Sequence, residues 1–180
     1  MANLNKKISD TAVRLGPCRF SYVHVFERRH NVDGSAGKYE VSCIIPKTDN
    51  ETVKLFNDAF NAAVQLGIST KWGGRKPAAL NGGLRDGDDK DDPAYKNCWF
   101  FNAKSDRAPG VRVRENGVVC EALDADDIYS GCYGAVTINL YPYDVGGNRG
   151  VAVGLQNIIK TEEGERLAGG RSADEDFADL

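Results

Sequence analysis

The 180-residue sequence holds two histidines and one methionine, and it has no apolar run long enough to cross a bilayer. A spanning helix needs roughly eighteen or more consecutive apolar residues, so no membrane partner is expected. The opening stretch MANLNKKISDTAV lacks an apolar core before a small-residue cleavage site, so no secretory signal is expected either. His24 lies within a strand-like pattern and His30 follows Arg28 and Arg29 in a connection. Neither fits H-E-x-x-H or the deaminase pattern, and G-x-S-x-G is missing too. The glycine pairs never form G-x-x-x-x-G-K-[ST] or G-x-G-x-x-G before a helix, which removes both common nucleotide-binding signatures. Together these gaps argue against an enzyme and against a bound cofactor.

Paired cysteines are also missing. Cys18, Cys43, Cys98, Cys120 and Cys132 are odd in number and widely spaced, with no C-x-x-C. Most fall in apolar strand-like runs, where a free thiol behaves as a small hydrophobe. A reducing cytoplasm suits them.

What the chain does have is unevenly placed charge. Residues 161–180 carry seven acids and two bases, a net of −5, which leaves 21 bases and 19 acids, or +2, on the body. Much of the body's acid is packed into RDGDDKDD, so a basic surface elsewhere fits an acidic total. Asp86, Asp88, Asp89, Asp91 and Asp92 are closely spaced carboxylates in one loop. A two-metal nuclease gathers its ligands from separate elements, and the EF-hand pattern fails at Lys90 and Asp91. A solvated acidic loop is the expectation, with no metal; a metal-dependent nuclease is the enzymatic alternative.

The hydrophobic pattern is mainly of period two. Residues 18–26 (CRFSYVHVF) and GKYEVSCIIP read as strands, the second closed by Pro46. TDNETVKLFNDAFNAAVQLG switches to a helical period. Thr48 and Glu51 have capping-box spacing; Val53, Phe56, Phe60, Ala63 and Val64 share a stripe; Gly67 marks the expected stop. Residues 68–97 show little periodicity, and a connection of that length is usually functional or disordered. CWFFNAKS reads as a strand. GVRVRENGVVCEAL reads as a hairpin turning at Asn116-Gly117, and a longer hairpin follows with its turn in DVGGN. Without a βαβ rhythm, the expected fold is mainly β: a small antiparallel barrel of OB type with one inserted helix and long loops. The expected layout is a flexible arm over 1–13, the barrel domain over 14–160 and an acidic, disordered tail over 161–180.

Bases interleave with aromatics along these strands, the combination that single-stranded nucleic acid requires. Trp99 and Phe101 share one face of their strand, opposite Cys98 and Phe100, with Lys96, Lys104 and Arg107 flanking. Arg112 and Arg114 alternate with Val111 and Val113. Lys71, Trp72, Arg75 and Lys76 lie together in the long loop, Arg28 and Arg29 form another basic patch, and Tyr141 and Tyr143 share a side. Solvated sheet surface or core packing is the plainer role for each taken alone. No helix-turn-helix, zinc finger or RNA recognition motif is suggested.

Several stretches in order (RFSYVHVFE, KYEVSCIIPK with its capped helix, GLRDGD, GCYGAVTINLYPYD, GNRGVAVGLQNI and the acidic end) resemble the bacteriophage-encoded single-stranded DNA-binding proteins of replication and recombination. The resemblance covers most of residues 14–180. It implies an OB barrel with an inserted helix and sequence-nonspecific binding of single-stranded DNA. It also implies an acidic tail that competes with DNA and contacts phage or host replication and recombination proteins. DEDFADL is similar to such a tail, with Asp174, Glu175, Asp176 and Asp179 as charge and Phe177 as anchor. The leucine ending departs from the aromatic ending of many such tails, so the partner's identity does not carry over. The cytoplasm of an infected bacterium is the implied location, and a homodimer follows from the commonness of two-fold assemblies. The same features are compatible with a phage assembly protein and with a single-stranded RNA binder.

Overall fold

The chain forms strands where apolar residues alternate and a helix where they recur at three and four. A computed structural model describes residues 1–167. In chain order the elements are β1 (Lys6–Lys7), β2 (Ala12–His24), β3 (Tyr39–Pro46), α1 (Asn50–Thr70), β4 (Arg85–Asp86), β5 (Cys98–Ser105), β6 (Gly110–Glu115), β7 (Val118–Glu121), β8 (Tyr133–Val145) and β9 (Asn148–Glu162). Val13, Leu15, Cys18 and Phe20 of β2 and Val41, Cys43 and Ile45 of β3 lie in one core with Phe101 and Ala103 of β5. Burial of apolar surface on that scale is the main force holding the sheet closed.

The sheet closes on itself. β2 pairs with β3 and β3 with β5; β5 meets β9 in parallel at Lys104 and Gly154; β9 pairs with β8 and β8 returns to β2. This closed five-strand barrel is the OB type that the pattern of short strands predicts. β6 adds to the far part of β9 in parallel, and β7 pairs with β6 as an outer ribbon. Asn116 and Gly117 both take positive φ, 51° and 78°, as the expected two-residue turn requires. Val145 pairs with Asn148 around Gly146 and Gly147, which places the second turn within DVGGN.

α1 packs Phe56, Ala63 and Val64 into the core, with Val53 and Phe60 partly buried against it. Its ends differ from the sequence expectation. Asp49, not Thr48, accepts from the Thr52 amide and caps the helix. The helix also runs past Gly67 to Thr70. Gly67 is small for a different reason: a Cβ there would lie 2.6 Å from the Trp72 ring.

Three further boundaries move. The strand expected from Cys18, β2, begins at Ala12, because Val13 and Leu15 are core residues. The expected arm over 1–13 is docked: β1 pairs with β2, and the Asn5 side chain donates to Thr52 Oγ1 at 2.8 Å. The expected tail start at 161 falls inside β9. Beyond it, the Leu167 amide donates to the Ser130 carbonyl at 2.9 Å. The polar composition of 161–167 conceals backbone groups that pair with the barrel. The charged and aromatic tail residues Asp174, Glu175, Asp176, Phe177 and Asp179 lie outside the described residues.

Candidate nucleic-acid interface

In an OB barrel the second and third strands, with the first–second and fourth–fifth connections, form the ligand face. Here those strands are β3 and β5, the first connection is the turn-rich stretch 25–38, and the last is the β8–β9 ribbon. A cleft of about 340 Å³ opens on this face. Its floor is the outward side of β5 at Asn102 and Lys104; its walls are Tyr141 and Tyr143 of β8 and the segment carrying Gly82 and Arg85. Asn81 fixes that segment, since its amide donates to the Arg149 carbonyl at 3.0 Å and its carbonyl accepts from Val151 at 3.0 Å. Tyr141 is 42% exposed, so its ring is open to a ligand.

A second depression shares Lys38 and Lys104 with the first and adds Arg28 and Arg29. Across the two there are five cations, Arg28, Arg29, Lys38, Arg85 and Lys104, and two carboxylates, Glu40 and Asp106. Glu40 is buried and takes Arg29 at 3.1 Å and Lys104 at 3.7 Å. Asp106 takes Lys38 at 3.7 Å and Arg28 at 3.9 Å. These acids hold the long basic side chains in place without cancelling them, and the surface keeps a net positive charge. Arg28 also stacks over Tyr39, 5.2 Å from its centroid.

Of the residues singled out in the sequence, Arg28, Arg29, Lys104, Tyr141 and Tyr143 meet on this surface. Arg107 follows Asp106 at its rim and is exposed. The others are buried beneath it or lie elsewhere. Trp72 is 3% exposed and its indole N–H donates to the Tyr143 carbonyl, so it is a core residue and offers no face to a base. Phe101 meets the cleft only from beneath: it is a core residue, with its ring 5.0 Å from that of Phe56. Trp99 is partly buried with the Lys47 amine 4.9 Å over its ring. Lys71, Arg75 and Lys76 flank buried Trp72 in the chain and stay outside the cleft, all three exposed. Lys96 lines a separate hollow with Lys90 and Asp91. Val111 and Val113 face inward as expected, but Arg112 lines an outer groove with Arg14, and Arg114 pairs with Val119. Lys38, Arg85 and Asn102, which the sequence did not single out, complete the cleft. Lys38 and Arg85 each sit at the edge of a strand pattern, a position from which a basic side chain reaches over a sheet.

The acidic loop has structural duties. Asp86 and Asp88 each lie 2.7 Å from the Lys47 amine, and those bonds hold both carboxyls below the ordinary aspartate value. Asp88 also accepts from the Asn97 amide at 2.7 Å. Asp92 caps the short 3₁₀ turn Pro93–Tyr95. Tyr95 and Phe100 meet edge to face in a cluster with Ile44, so this loop seals an apolar patch on the outside of the barrel.

A closed OB-type barrel whose ligand face carries clustered cations and an open tyrosine defines an oligonucleotide-binding class of protein. Over residues 11–180 the chain matches the family described as the ssDNA-binding protein of Enterobacter phage Enc34, and it belongs to that family. The family is one of binding proteins, not enzymes. A protein of Acyrthosiphon pisum secondary endosymbiont phage 1, described as putative protein p50, is 28% identical over 178 residues and covers 93% of each chain. The single-stranded DNA-binding protein of bacteriophage Enc34 shares the fold at 19% identity, with a TM-score of 0.72 over 99% of both chains. Its complex with ssDNA gives 0.71 over 92% of this chain and 98% of that one, also at 19% identity.

Proposed function

We propose that this chain binds single-stranded DNA without sequence preference and keeps it from re-pairing during phage replication or recombination, in the cytoplasm of the infected bacterium. The observation that carries the reading is the meeting of Tyr141 and Tyr143 with Lys38, Arg85 and Lys104 in one cleft on the barrel's ligand face. Phosphates would lie against the basic side chains and bases against the tyrosine rings, with no base edge read. Arg28, Arg29 and Arg107 extend this contact surface beyond the cleft. Family membership supports the same reading.

The acidic end belongs to the proposal. The residues past Leu167 carry four acids and one base, a net of −3, and like a DNA strand they are polyanionic, so the two compete for one basic surface. DNA binding would release the tail to a replication or recombination protein, with Phe177 as its apolar anchor. A homodimer is proposed as well: β7 is an edge strand with Val118 and Val119 exposed, the kind of edge a second copy can pair with.

Anisotropy of a labelled oligo-dT of about thirty nucleotides tests the reading, at low and moderate salt, with duplex DNA and oligo-rU as controls. The full chain and a version ending at Gly170 are compared. Salt-sensitive binding of oligo-dT, tighter for the truncated form, is expected. No binding by either form overturns the function, and equal binding by both overturns the competition.

A further inference from the structure

The aromatic ring most open to solvent among the described residues is not in the cleft. Tyr22 is 53% exposed, against 42% for Tyr141. It lies where the pairing of β2 with β3 slips between Ser21 and His24, and its φ is +47°. A bulky side chain rarely takes that conformation, and bulges of this kind re-aim a side chain away from the regular pleat. Such strain clusters at ligand sites, because elsewhere a glycine or asparagine would relieve it.

Beside Tyr22 lies an open cleft of about 660 Å³, lined also by Arg19, Ser130 and Arg166. Arg19 donates to two carbonyls, of Gly131 at 3.2 Å and Glu165 at 2.8 Å. Arg166 lies over the Tyr129 ring at 4.3 Å, and the Lys90 amine sits 5.1 Å from the Tyr22 centroid. None of these three cations has a carboxylate partner among the described residues. Of the acids at the cleft, Asp92 is engaged by the Ala94 amide at 3.0 Å, and Glu165 is the other.

This cleft shares no lining residue with the first, but Lys90 and Arg85 stand between Tyr22 and the first cleft. Lys90 lies 5.0 Å and Arg85 5.8 Å from the Phe100 ring centroid, so the two cations flank one aromatic between the two sites. We propose that the cleft at Tyr22 is a second nucleotide subsite: one base stacks on Tyr22, and its flanking phosphates lie against Lys90, Arg19 and Arg166. The strand thus continues from Tyr141 past Arg85 and Lys90 to Tyr22. The inference rests on the single-stranded DNA reading above. An acidic peptide, such as the chain that follows Leu167, would answer the same charges, and the test below separates it from a nucleotide.

The test compares oligo-dT of about five and about sixteen nucleotides, lengths that bracket the span of one OB fold. The variants are Tyr22→Asn, which suits positive φ without a ring, Tyr22→Trp, which keeps a stacking face, and Lys90→Gln, which leaves the bulge untouched. Tyr22→Asn is expected to weaken the longer oligonucleotide about fivefold to 150-fold, the range for one stacked base, and to leave the shorter one unchanged. Tyr22→Trp should restore binding, and Lys90→Gln should follow Tyr22→Asn in direction. Wild-type affinity for both lengths in Tyr22→Asn and Lys90→Gln overturns the subsite. So does equal weakening at both lengths. A change confined to the difference between the full chain and the chain ending at Gly170 also overturns it, by making the cleft a peptide site. If the wild-type chain binds neither length, the DNA reading itself has failed.

Discussion

The indole N–H of Trp72 donates to the carbonyl of Tyr143 at 3.1 Å, just past the turn that ends α1. One side chain thereby ties the helix to the strand that carries both tyrosines of the cleft. Gly67 lies against its ring and against Pro142, with no room for a Cβ between them. Trp72→Ala should cost about 3–5 kcal/mol, the range for emptying a large aromatic site. Trp72→Phe should cost less, because most of the packing stays while the hydrogen bond is lost. Urea denaturation measures both, and a cost for Trp72→Ala below about 1 kcal/mol would contradict the core assignment.

Tyr141→Ala should weaken oligo-dT by roughly 1–3 kcal/mol, while Tyr141→Phe stays close to wild type, since the ring and not the hydroxyl stacks. Its exposure means the same change should leave the unfolding midpoint almost unmoved. Anisotropy and thermal unfolding of the two variants separate the effects.

Arg85→Gln and Lys38→Gln should each flatten the dependence of log affinity on log salt by about 0.7, the value for one phosphate contact on a single strand. Arg114→Gln, on the β6–β7 ribbon, should leave that slope as it is. Titrations at four salt concentrations resolve the difference.

Lys47 lowers the carboxyl values of Asp86 and Asp88 beneath the ordinary 3.8 through its hydrogen bonds to both. A group with a depressed folded value adds stability above its ordinary value, and that stability is lost as pH falls through the folded one. Solvent exposure keeps the effect small. The melting temperature of Lys47→Met should therefore lie below that of wild type at about pH 6 and converge with it towards about pH 2. A constant gap over that range would show that the ion pairs are not its source.

Much of this protein is legible in its sequence. Period-two runs, two glycine turns and one capped helix define an OB-type barrel, because burial on one face and turn chemistry are local properties. Arg28, Arg29, Lys104 and Tyr141 stand out as bases and aromatics on strand margins. Residues 161–167 mislead, since their polarity hides the backbone pairing that docks them. Trp72 and Phe101 mislead for another reason: the alternation of Trp99 with Phe100 and Phe101 marks two faces without saying which is inside. Closure of β5 onto β9 decides that Phe101 is core, and the return of the chain after α1 decides that Trp72 is. Only the same closure brings Arg85, from a stretch with no periodicity, beside Tyr141 more than fifty residues away. The sequence determined the elements and their chemistry. Which side chains meet was decided by tertiary structure, because a cleft is made by contacts that no local pattern encodes.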